Sequence, residues 1–308
     1  MPLDPTLAGL LGQMKLMGGR GLSEMDPVQA RAQSGLMAQF APPPPPIAAA
    51  EDVNAGGLAA RLYRPSHAGE LPLIVYFHGG GWVLGSVKDN ETMCRSLANA
   101  SGCAVLSVEY RLAPEHKFPA AVEDAMAATT WAAAHASALH ADAARLAVAG
   151  DSAGANLAAV VCLLTRDGGA PHIVRQLLVY PPTDMHGERY PSVRENGEGL
   201  LLTAKDMDWF GRQYLRSAAD RDDPRVSPML ARSHAGLPPA MILTAEYDPL
   251  RDEGEAYGEK LRSAGVEVDL RRYAGMTHGF WTMAPFVPAA QAVLEEAARA
   301  FGEALRGS

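Results

Sequence analysis

The segment that most constrains the fold of this chain is residues 150–154, which read G-D-S-A-G and match the pattern G-x-S-x-G. An apolar run at 145–149 precedes it, and a helix-like run at 155–161 follows it. A serine between a buried strand and a helix lies on a sharp, strained turn with its hydroxyl exposed above the sheet. The flanking glycines lack a Cβ, so strand and helix can approach closely. The pattern predicts a nucleophile elbow with Ser152 as the nucleophile.

From residue 59 onward, strand-like and helix-like segments alternate. The strand-like segments are 60–64, 73–77, 104–108, 145–149, 176–180, 240–245 and 266–271, and the helix-like ones include 120–134, 253–264 and 288–305. Nearly continuous apolar strands such as 73–77 are typical of parallel strands that are covered on both faces. The alternation predicts an α/β fold with a mostly parallel central sheet and helices on both faces.

Two segments depart from this alternation. Residues 6–40 have helix-like spacing, and a proline run at 42–46 ends any helix there, which favours a docked helical arm over a disordered leader. Residues 184–228 are polar and contain a helix-like stretch at 205–214, which favours an insertion above the carboxyl edge of the sheet. We therefore predict an arm at 1–46 that contributes to a cap, a core at 47–184 and 229–308, and a cap insertion at 185–228.

Composition limits the partners and the compartment. The net charge of -8 argues against nucleic acid as a partner and leaves no polybasic patch for a membrane. No apolar run reaches the length of a membrane span, and the first residues do not have the pattern of a signal peptide. The three cysteines, Cys94, Cys103 and Cys162, lie in no metal-binding spacing and predict free, buried thiols, with a Cys94–Cys103 disulfide as the minor alternative. These features favour a cytoplasmic protein.

Two positions in the second half of the chain supply the partners that a serine nucleophile needs. A base must take the hydroxyl proton, and an anion must orient that base. Asp248 and His278 each follow a strand-like segment, at the edge of the sheet where the elbow opens. They predict a triad with Ser152, although Glu246 and Asp252 are competing acids. The alternatives are an Asp-Pro turn at 248–249 and a structural loop histidine at 278.

The sequence H-G-G-G-W at 78–82 follows the strongest strand-like segment. Consecutive glycines allow backbone conformations in which successive N–H groups point the same way, and such groups stabilise a developing oxyanion. We predict an oxyanion hole formed by the N–H groups of Gly80, Gly81 and Ala153, with His78 as a scaffold residue. Phosphate binding, the alternative for a glycine run, lacks its usual G-x-G-x-x-G or G-K-[ST] pattern here.

Taken together, these segments resemble the bacterial hormone-sensitive lipase family of esterases, also called family IV, in its GDSAG subgroup. The shared motifs are H-G-G-G-W at 78–82, Y-R-L-A-P-E at 110–115, F-P-A-A at 118–121, G-D-S-A-G at 150–154, D-P-L-R-D-E at 248–253 and H-G-F at 278–280. Ala155 stands where a glycine is commoner. The resemblance covers nearly all of the chain after the proline run. It implies an α/β-hydrolase fold with a helical cap, hydrolysis of carboxylic esters, and no cofactor or metal.

The function expected from these residues is hydrolysis of small, short- to medium-chain carboxylic esters through an acyl-enzyme. Trp82 and Leu201 are expected to line the substrate pocket, and Asp151 to hydrogen-bond the backbone near the elbow. An amidase, lactonase or acyltransferase with the same triad is an alternative. A non-catalytic small-molecule receptor is another, since plant gibberellin receptors resemble this family but lack the triad histidine. The last strand-like segment is a possible sheet edge for a homodimer.

Overall fold

The structure of the protein, a computed structural model, describes residues 2–16, 20–38 and 42–307. The strands within these ranges are β1 (Ala49–Ala55), β2 (Leu58–Arg64), β3 (Leu71–Phe77), β4 (Ala104–Val108), β5 (Ala141–Asp151), β6 (Arg175–Val179), β7 (Ala240–Tyr247) and β8 (Val268–Thr277). They form one sheet in the order β1-β2-β4-β3-β5-β6-β7-β8. The pairs β1–β2 and β2–β4 are antiparallel and the other pairs are parallel, which confirms the predicted mostly parallel sheet.

Helices cover both faces of this sheet, as predicted. The helices within the described ranges are α1 (Pro5–Leu16), α2 (Pro27–Ala38), α3 (Glu91–Ser101), α4 (Ala120–Ala134), α5 (Ala153–Gly168), α6 (Pro191–Asn196), α7 (Ala204–Tyr214), α8 (Arg251–Ser263) and α9 (Pro288–Arg306). Successive side chains of β3 belong to opposite apolar clusters, because side chains alternate between the faces of a strand. Leu73 and Val75 belong to the cluster that also contains residues of α4, α5 and α8, whereas Ile74 and Tyr76 belong to the cluster that contains residues of α3 and α9. Burial on both faces explains why the sequence of β3 is continuously apolar.

The N-terminal residues contact distant parts of the chain. Residues 17–19 and 39–41 of the predicted arm lie outside the described residues. Leu7 of α1 is fully buried, and the backbone N–H of Asp4 donates to the carbonyl of Gly275 at 2.9 Å. The indole N–H of Trp209 in α7 donates to the carbonyl of Met25 at 3.1 Å. The chain before β1 and the chain between β6 and β7 therefore meet above the sheet.

The structure also bears on the sequence predictions for the cysteines and for membrane-spanning segments. Cys94, Cys103 and Cys162 are free and buried, so the alternative of a Cys94–Cys103 disulfide is wrong. Within the described ranges, no helix has the length and apolar character needed to cross a membrane.

Candidate active site

The turn between β5 and α5 holds Ser152 in a conformation that few residues adopt. Its φ is 52° and its ψ is -122°, outside the regions that L-residues favour, and such backbone strain costs about 1–3 kcal/mol. A Cβ added to Gly154 would lie 1.9 Å from the carbonyl oxygen of Phe77, so only glycine allows α5 to approach β3 this closely. The predicted elbow thus has the local geometry that its sequence pattern implies.

Three side chains from separate strand ends meet at this turn. His278 directly follows β8, and its Nε2 lies 3.0 Å from Ser152 Oγ. Its Nδ1 lies 2.8 Å from Oδ2 of Asp248, which directly follows β7. An ionised carboxylate can only accept, so Nδ1 carries a proton and Nε2 is free to accept the serine proton. The structure therefore brings together the three residues that the sequence predicted as a triad.

The burial of Asp248 separates it from the competing acids. Its side chain is fully buried, and Oδ1 accepts the backbone N–H of Leu250 at 2.8 Å. Glu246 accepts the backbone N–H of Gly275 at 2.8 Å, and this bond lowers the pKa of its carboxyl. Asp252 accepts the backbone N–H of Ser192 at 2.8 Å and pairs with the neighbouring arginine. Asp248 is the carboxylate that the structure places on His278.

The glycine-rich loop after β3 turns back on itself. Gly80 has a φ of 115°, and its carbonyl accepts the backbone N–H of Leu84 at 2.8 Å. Among the described residues, no protein group accepts from the backbone N–H of Gly80, Gly81 or Ala153. These donors are available to a substrate oxygen, which is what the predicted oxyanion hole requires.

The side chain of His78 has a different environment. It is fully buried, its Nδ1 lies 2.8 Å from the carbonyl of Gly79, and its ring stacks on Tyr110 at 4.4 Å. The hydroxyl of Tyr110 donates to the carbonyl of His78 at 2.7 Å. These contacts fit the interpretation of His78 as a residue that supports the loop.

Side chains of the segment between β6 and β7 lie beside the loop and beside the histidine. The Trp82 ring is buried and stacks on Tyr214 at 4.3 Å, nearly parallel. The Phe210 ring occupies the space next to Gly81, where an added Cβ would lie 2.2 Å from it. Leu201 lies beside Gly279, the residue after the triad histidine. Trp82 and Leu201 were expected near the substrate; Phe210 was not, and its aromatic character within a helix-like segment is the only sequence signal for it.

Arg31 of α2 is a second residue that the sequence analysis missed. Its Nε donates to the carbonyl of Val83 and its Nη2 to the carbonyl of Ala113, both at 2.8 Å. The same guanidinium group forms two hydrogen bonds with Glu115. No local pattern marks this arginine, because all its partners are distant in sequence.

Metal binding has no support from the side-chain arrangement. Within residues 2–16, 20–38 and 42–307, no group of three or more His, Cys, Asp and Glu side chains is arranged to hold a metal ion.

Four similarities to known proteins bear on the family. A family model described as an α/β-hydrolase fold matches residues 74–282. The chain is 48% identical over 289 residues to the carboxylic ester hydrolase LipN of Mycobacterium tuberculosis, covering 90% of this chain and 77% of that protein. It is 40% identical over 307 residues to an ethyl acetate hydrolase of Pseudomonas putida, covering 93% and 94%. The solved structure of a hyperthermophilic esterase from the archaeon Pyrobaculum calidifontis matches with a TM-score of 0.93 at 42% identity, covering 98% of this chain and 99% of that one.

Proposed function

This chain belongs to the α/β-hydrolase superfamily, in its hormone-sensitive-lipase-like family of esterases, and from that premise we propose that Ser152, His278 and Asp248 are its catalytic triad. The predicted family and fold class are confirmed, and the chain is a serine carboxylesterase. The observation that carries the residue assignment is the continuous contact from Ser152 Oγ through the imidazole to Asp248.

The proposed reaction has two stages. His278 Nε2 accepts the proton of Ser152 as Oγ attacks the ester carbonyl carbon, and Asp248 stabilises the imidazolium that forms. The tetrahedral intermediate collapses, the C–O bond to the alcohol breaks, and Nε2 returns the proton to the leaving alkoxide. Water, deprotonated by the same nitrogen, then hydrolyses the acyl-enzyme to the carboxylic acid.

The backbone donors that we propose for the oxyanion are the N–H groups of Gly80, Gly81 and Ala153. Their support is that no described protein group accepts from them and that the glycine-rich loop lies next to the elbow. Ala153 is also the first residue of α5, so the positive end of that helix dipole faces the same place. Removing one donor of an oxyanion hole lowers kcat by about 10²–10³ in other hydrolases.

The substrate that we propose is a small ester, enclosed by a cap formed from the N-terminal helices and residues 185–228. The contact between Trp209 and Met25 supports a joint cap, and the positions of Phe210, Leu201 and Trp82 support a narrow pocket. The division of the chain into arm, core and cap insertion stays a prediction.

Two further features stay predictions. β8 lies at the edge of the sheet, which supports a homodimer that pairs through this strand. Light scattering on the purified protein tests the dimer. The three free thiols support a reducing compartment such as the cytoplasm.

Replacement of the nucleophile tests the triad directly. We expect Ser152→Ala to lower kcat for p-nitrophenyl butyrate by roughly 10⁶-fold, as the loss of the nucleophile does in other serine hydrolases. Circular dichroism should remain that of the wild type. Activity within tenfold of wild type in a folded variant would show that another residue attacks the ester.

A further inference from the structure

A second buried carboxylate lies beside the proposed nucleophile. Asp151 directly precedes Ser152 and is 3% exposed. Its Oδ1 accepts the hydroxyl of Tyr76 at 2.5 Å and the backbone N–H of Gly79 at 2.9 Å. Its Oδ2 accepts the hydroxyl of Tyr180 at 3.3 Å. Among the described residues, no lysine or arginine forms an ion pair with it. A carboxylate that is buried without a cation destabilises the folded protein unless hydrogen bonds compensate for the lost hydration. The three donors around Asp151 provide such hydrogen bonds.

The bond to Gly79 connects Asp151 to the oxyanion loop. Gly79 directly precedes Gly80 and Gly81, whose N–H groups have no acceptor in the described protein. The approach is close: a Cβ added to Gly79 would lie 2.3 Å from Oδ2 of Asp151. The carboxylate therefore fixes the start of the loop relative to the serine next to it in the chain.

The bond to Tyr180 connects Asp151 to the base. Tyr180 follows β6, and the centroid of its ring lies 4.4 Å from that of His278. Its φ of 38° is unusual for a residue other than glycine, and its backbone N–H donates to the carbonyl of Leu243 at 2.6 Å. Phe280 packs edge-on against the same ring at 5.4 Å. The surrounding structure thus holds Tyr180 in a strained position in which its ring supports the imidazole.

Asp151 has no direct access to the reacting atoms. The two ring nitrogens of His278 contact Asp248 and Ser152, so the imidazole has no nitrogen left for a further carboxylate. Any effect of Asp151 on the reaction has to pass through the loop, through Tyr180 or through its charge.

We propose that Asp151 is a positioning residue that holds the oxyanion loop, the nucleophile and the base in register through Gly79 and Tyr180. This inference rests on the proposed function, because it takes Ser152 and His278 as nucleophile and base. It extends that function by explaining what the acidic residue of the G-D-S-A-G segment does.

The environment of the Asp151 carboxyl also affects its ionisation. The pKa of this carboxyl is raised, because its burial outweighs the hydrogen bonds from Tyr76 and Gly79 and the imidazoles of His78 and His278, which act in the opposite direction. The other titratable groups near the carboxylate are the Tyr110 and Tyr180 hydroxyls and the Cys94 thiol.

The test compares Asp151→Asn with three other variants, with kcat and KM for p-nitrophenyl butyrate measured across pH. An asparagine at 151 keeps an oxygen for Tyr76 and Gly79 and loses the charge and the acceptor for Tyr180. Tyr180→Phe keeps the ring on His278 but removes the hydroxyl. Asp124→Asn is the matched control, because Asp124 is also a buried carboxylate, bound to Arg111 rather than to the site. Ser152→Ala tests the triad separately.

We expect Asp151→Asn to lower kcat by about 10- to 100-fold, the size of effect that misplacement of reacting groups produces. KM should change much less. Tyr180→Phe should lower kcat by a smaller factor. Asp124→Asn should reduce the melting temperature without lowering kcat.

Two results would overturn the proposal. One is a folded Asp151→Asn enzyme with the kcat of the wild type. The other, which applies even where Asp151→Asn does not fold, is a Tyr180→Phe enzyme with the kcat of the wild type. In either case an inactive Ser152→Ala variant would leave the proposed triad standing, whereas an active one would remove it regardless of Asp151.

Discussion

At the scale of single residues, burial decides the role of each acidic side chain near the site. Glu246, Asp248 and Asp252 lie within seven positions of one another, so the sequence ranks them only by place in the loop. The structure separates them, because Asp248 is fully buried on His278 while the other two accept backbone N–H groups elsewhere. A carboxylate orients an imidazole only where it touches the ring nitrogen.

We expect Asp248→Asn to lower kcat by roughly 10³–10⁴-fold, because the amide no longer favours the tautomer in which Nε2 accepts a proton. Glu246→Gln and Asp252→Asn should each have a much smaller effect. Steady-state kinetics on the three variants, at equal folded fraction, decides among the acids. If Glu246→Gln showed the largest loss of kcat, the acid of the triad would have to be reassigned.

Another buried acid, Glu253, affects the stability of the folded protein rather than the reaction. Its side chain is 1% exposed, and its Oε1 accepts the backbone N–H of Thr183 at 2.7 Å. Its Oε2 has no hydrogen-bond partner among the described residues. Burial raises the pKa of this carboxyl well above the ordinary value for glutamate. The folded state therefore keeps a proton that the unfolded state loses as the pH rises.

Glu253→Gln should consequently become more stable relative to the wild type as the pH rises. Between the unfolded and the folded pKa, the wild-type free energy of unfolding falls with pH by up to about 1.4 kcal/mol per pH unit, and the glutamine variant lacks this contribution. Urea unfolding of both proteins from about pH 5 to pH 8 measures the difference between their free energies of unfolding. All other titrating groups are the same in the two proteins, so their contributions cancel in this difference. A constant difference across this range would contradict a protonated Glu253.

At the scale of secondary-structure elements, the sequence predicts those helices, strands and turns that are determined by residues close together in the chain. The predicted segments 104–108 and 120–134 coincide with β4 and α4, and the elbow lies where G-x-S-x-G placed it. β1 was missed because it is an edge strand with exposed Glu51 and Asp52, so it lacks a continuous apolar run. The backbone hydrogen bond of Asp151 was expected and is confirmed by its bond to the Gly79 N–H. Its tyrosine partners and the partners of Arg31 and Phe210 could not be predicted, because no periodicity encodes contacts between segments that are distant along the chain.

The attachment of α2 gives a prediction at this scale. The guanidinium of Arg31 holds the backbone after the oxyanion loop, and its hydrogen bonds lower the pKa of Glu115 to about 2. We expect Arg31→Met to lower kcat/KM by about tenfold, since the loop is then less well positioned. Hydrogen exchange in α2 should become faster in the same variant.

Glu115→Gln is the matched control, because it keeps the two bonds from Arg31 to backbone carbonyls. Its effect should stay within about fivefold, the usual limit for one exposed ion pair. In the wild type, the Glu115 contribution is present above the ordinary glutamate pKa and is lost as the pH falls toward 2, so the protection of α2 against exchange, relative to an unfolded chain at the same pH, should fall in acid. If the Arg31→Met variant had the kcat/KM of the wild type and the same hydrogen exchange in α2, the result would show that α2 does not support the loop.

At the scale of the whole molecule, the surface argues against action at an oil–water interface. The exposed large apolar side chains among the described residues are Leu16 at 88% and Val28 at 69%, and they belong to α1 and α2. The segment between β6 and β7 instead carries ion pairs, such as Arg216–Asp220 and Arg225–Asp223. Docking on lipid needs a broad apolar face, whereas this segment carries charged side chains in ion pairs.

The enzyme should therefore act best on dissolved esters of short acyl chains. We expect kcat/KM for p-nitrophenyl esters to be highest between butyrate and octanoate and to fall toward palmitate, because Phe210 and Leu201 lie beside Gly81 and Gly279 and leave a long acyl chain little room next to the proposed triad. Adding matched amides and lactones to the series ranks the alternative activities. A maximum at laurate or longer, or a jump in rate above the solubility limit, would contradict this picture.

The contact between Asp4 and Gly275 joins two residues that the ribosome makes at widely separated times. Synthesis proceeds at about 5–20 residues per second, so α1 emerges well before the strand whose end it binds. Leu7 is buried in the folded protein, but in the nascent chain it lacks the residues that bury it. The first helix of the chain therefore reaches its final place after β8 has been translated. Messages truncated before that strand would yield polypeptides that expose an apolar helix, which makes them substrates for chaperones and proteases.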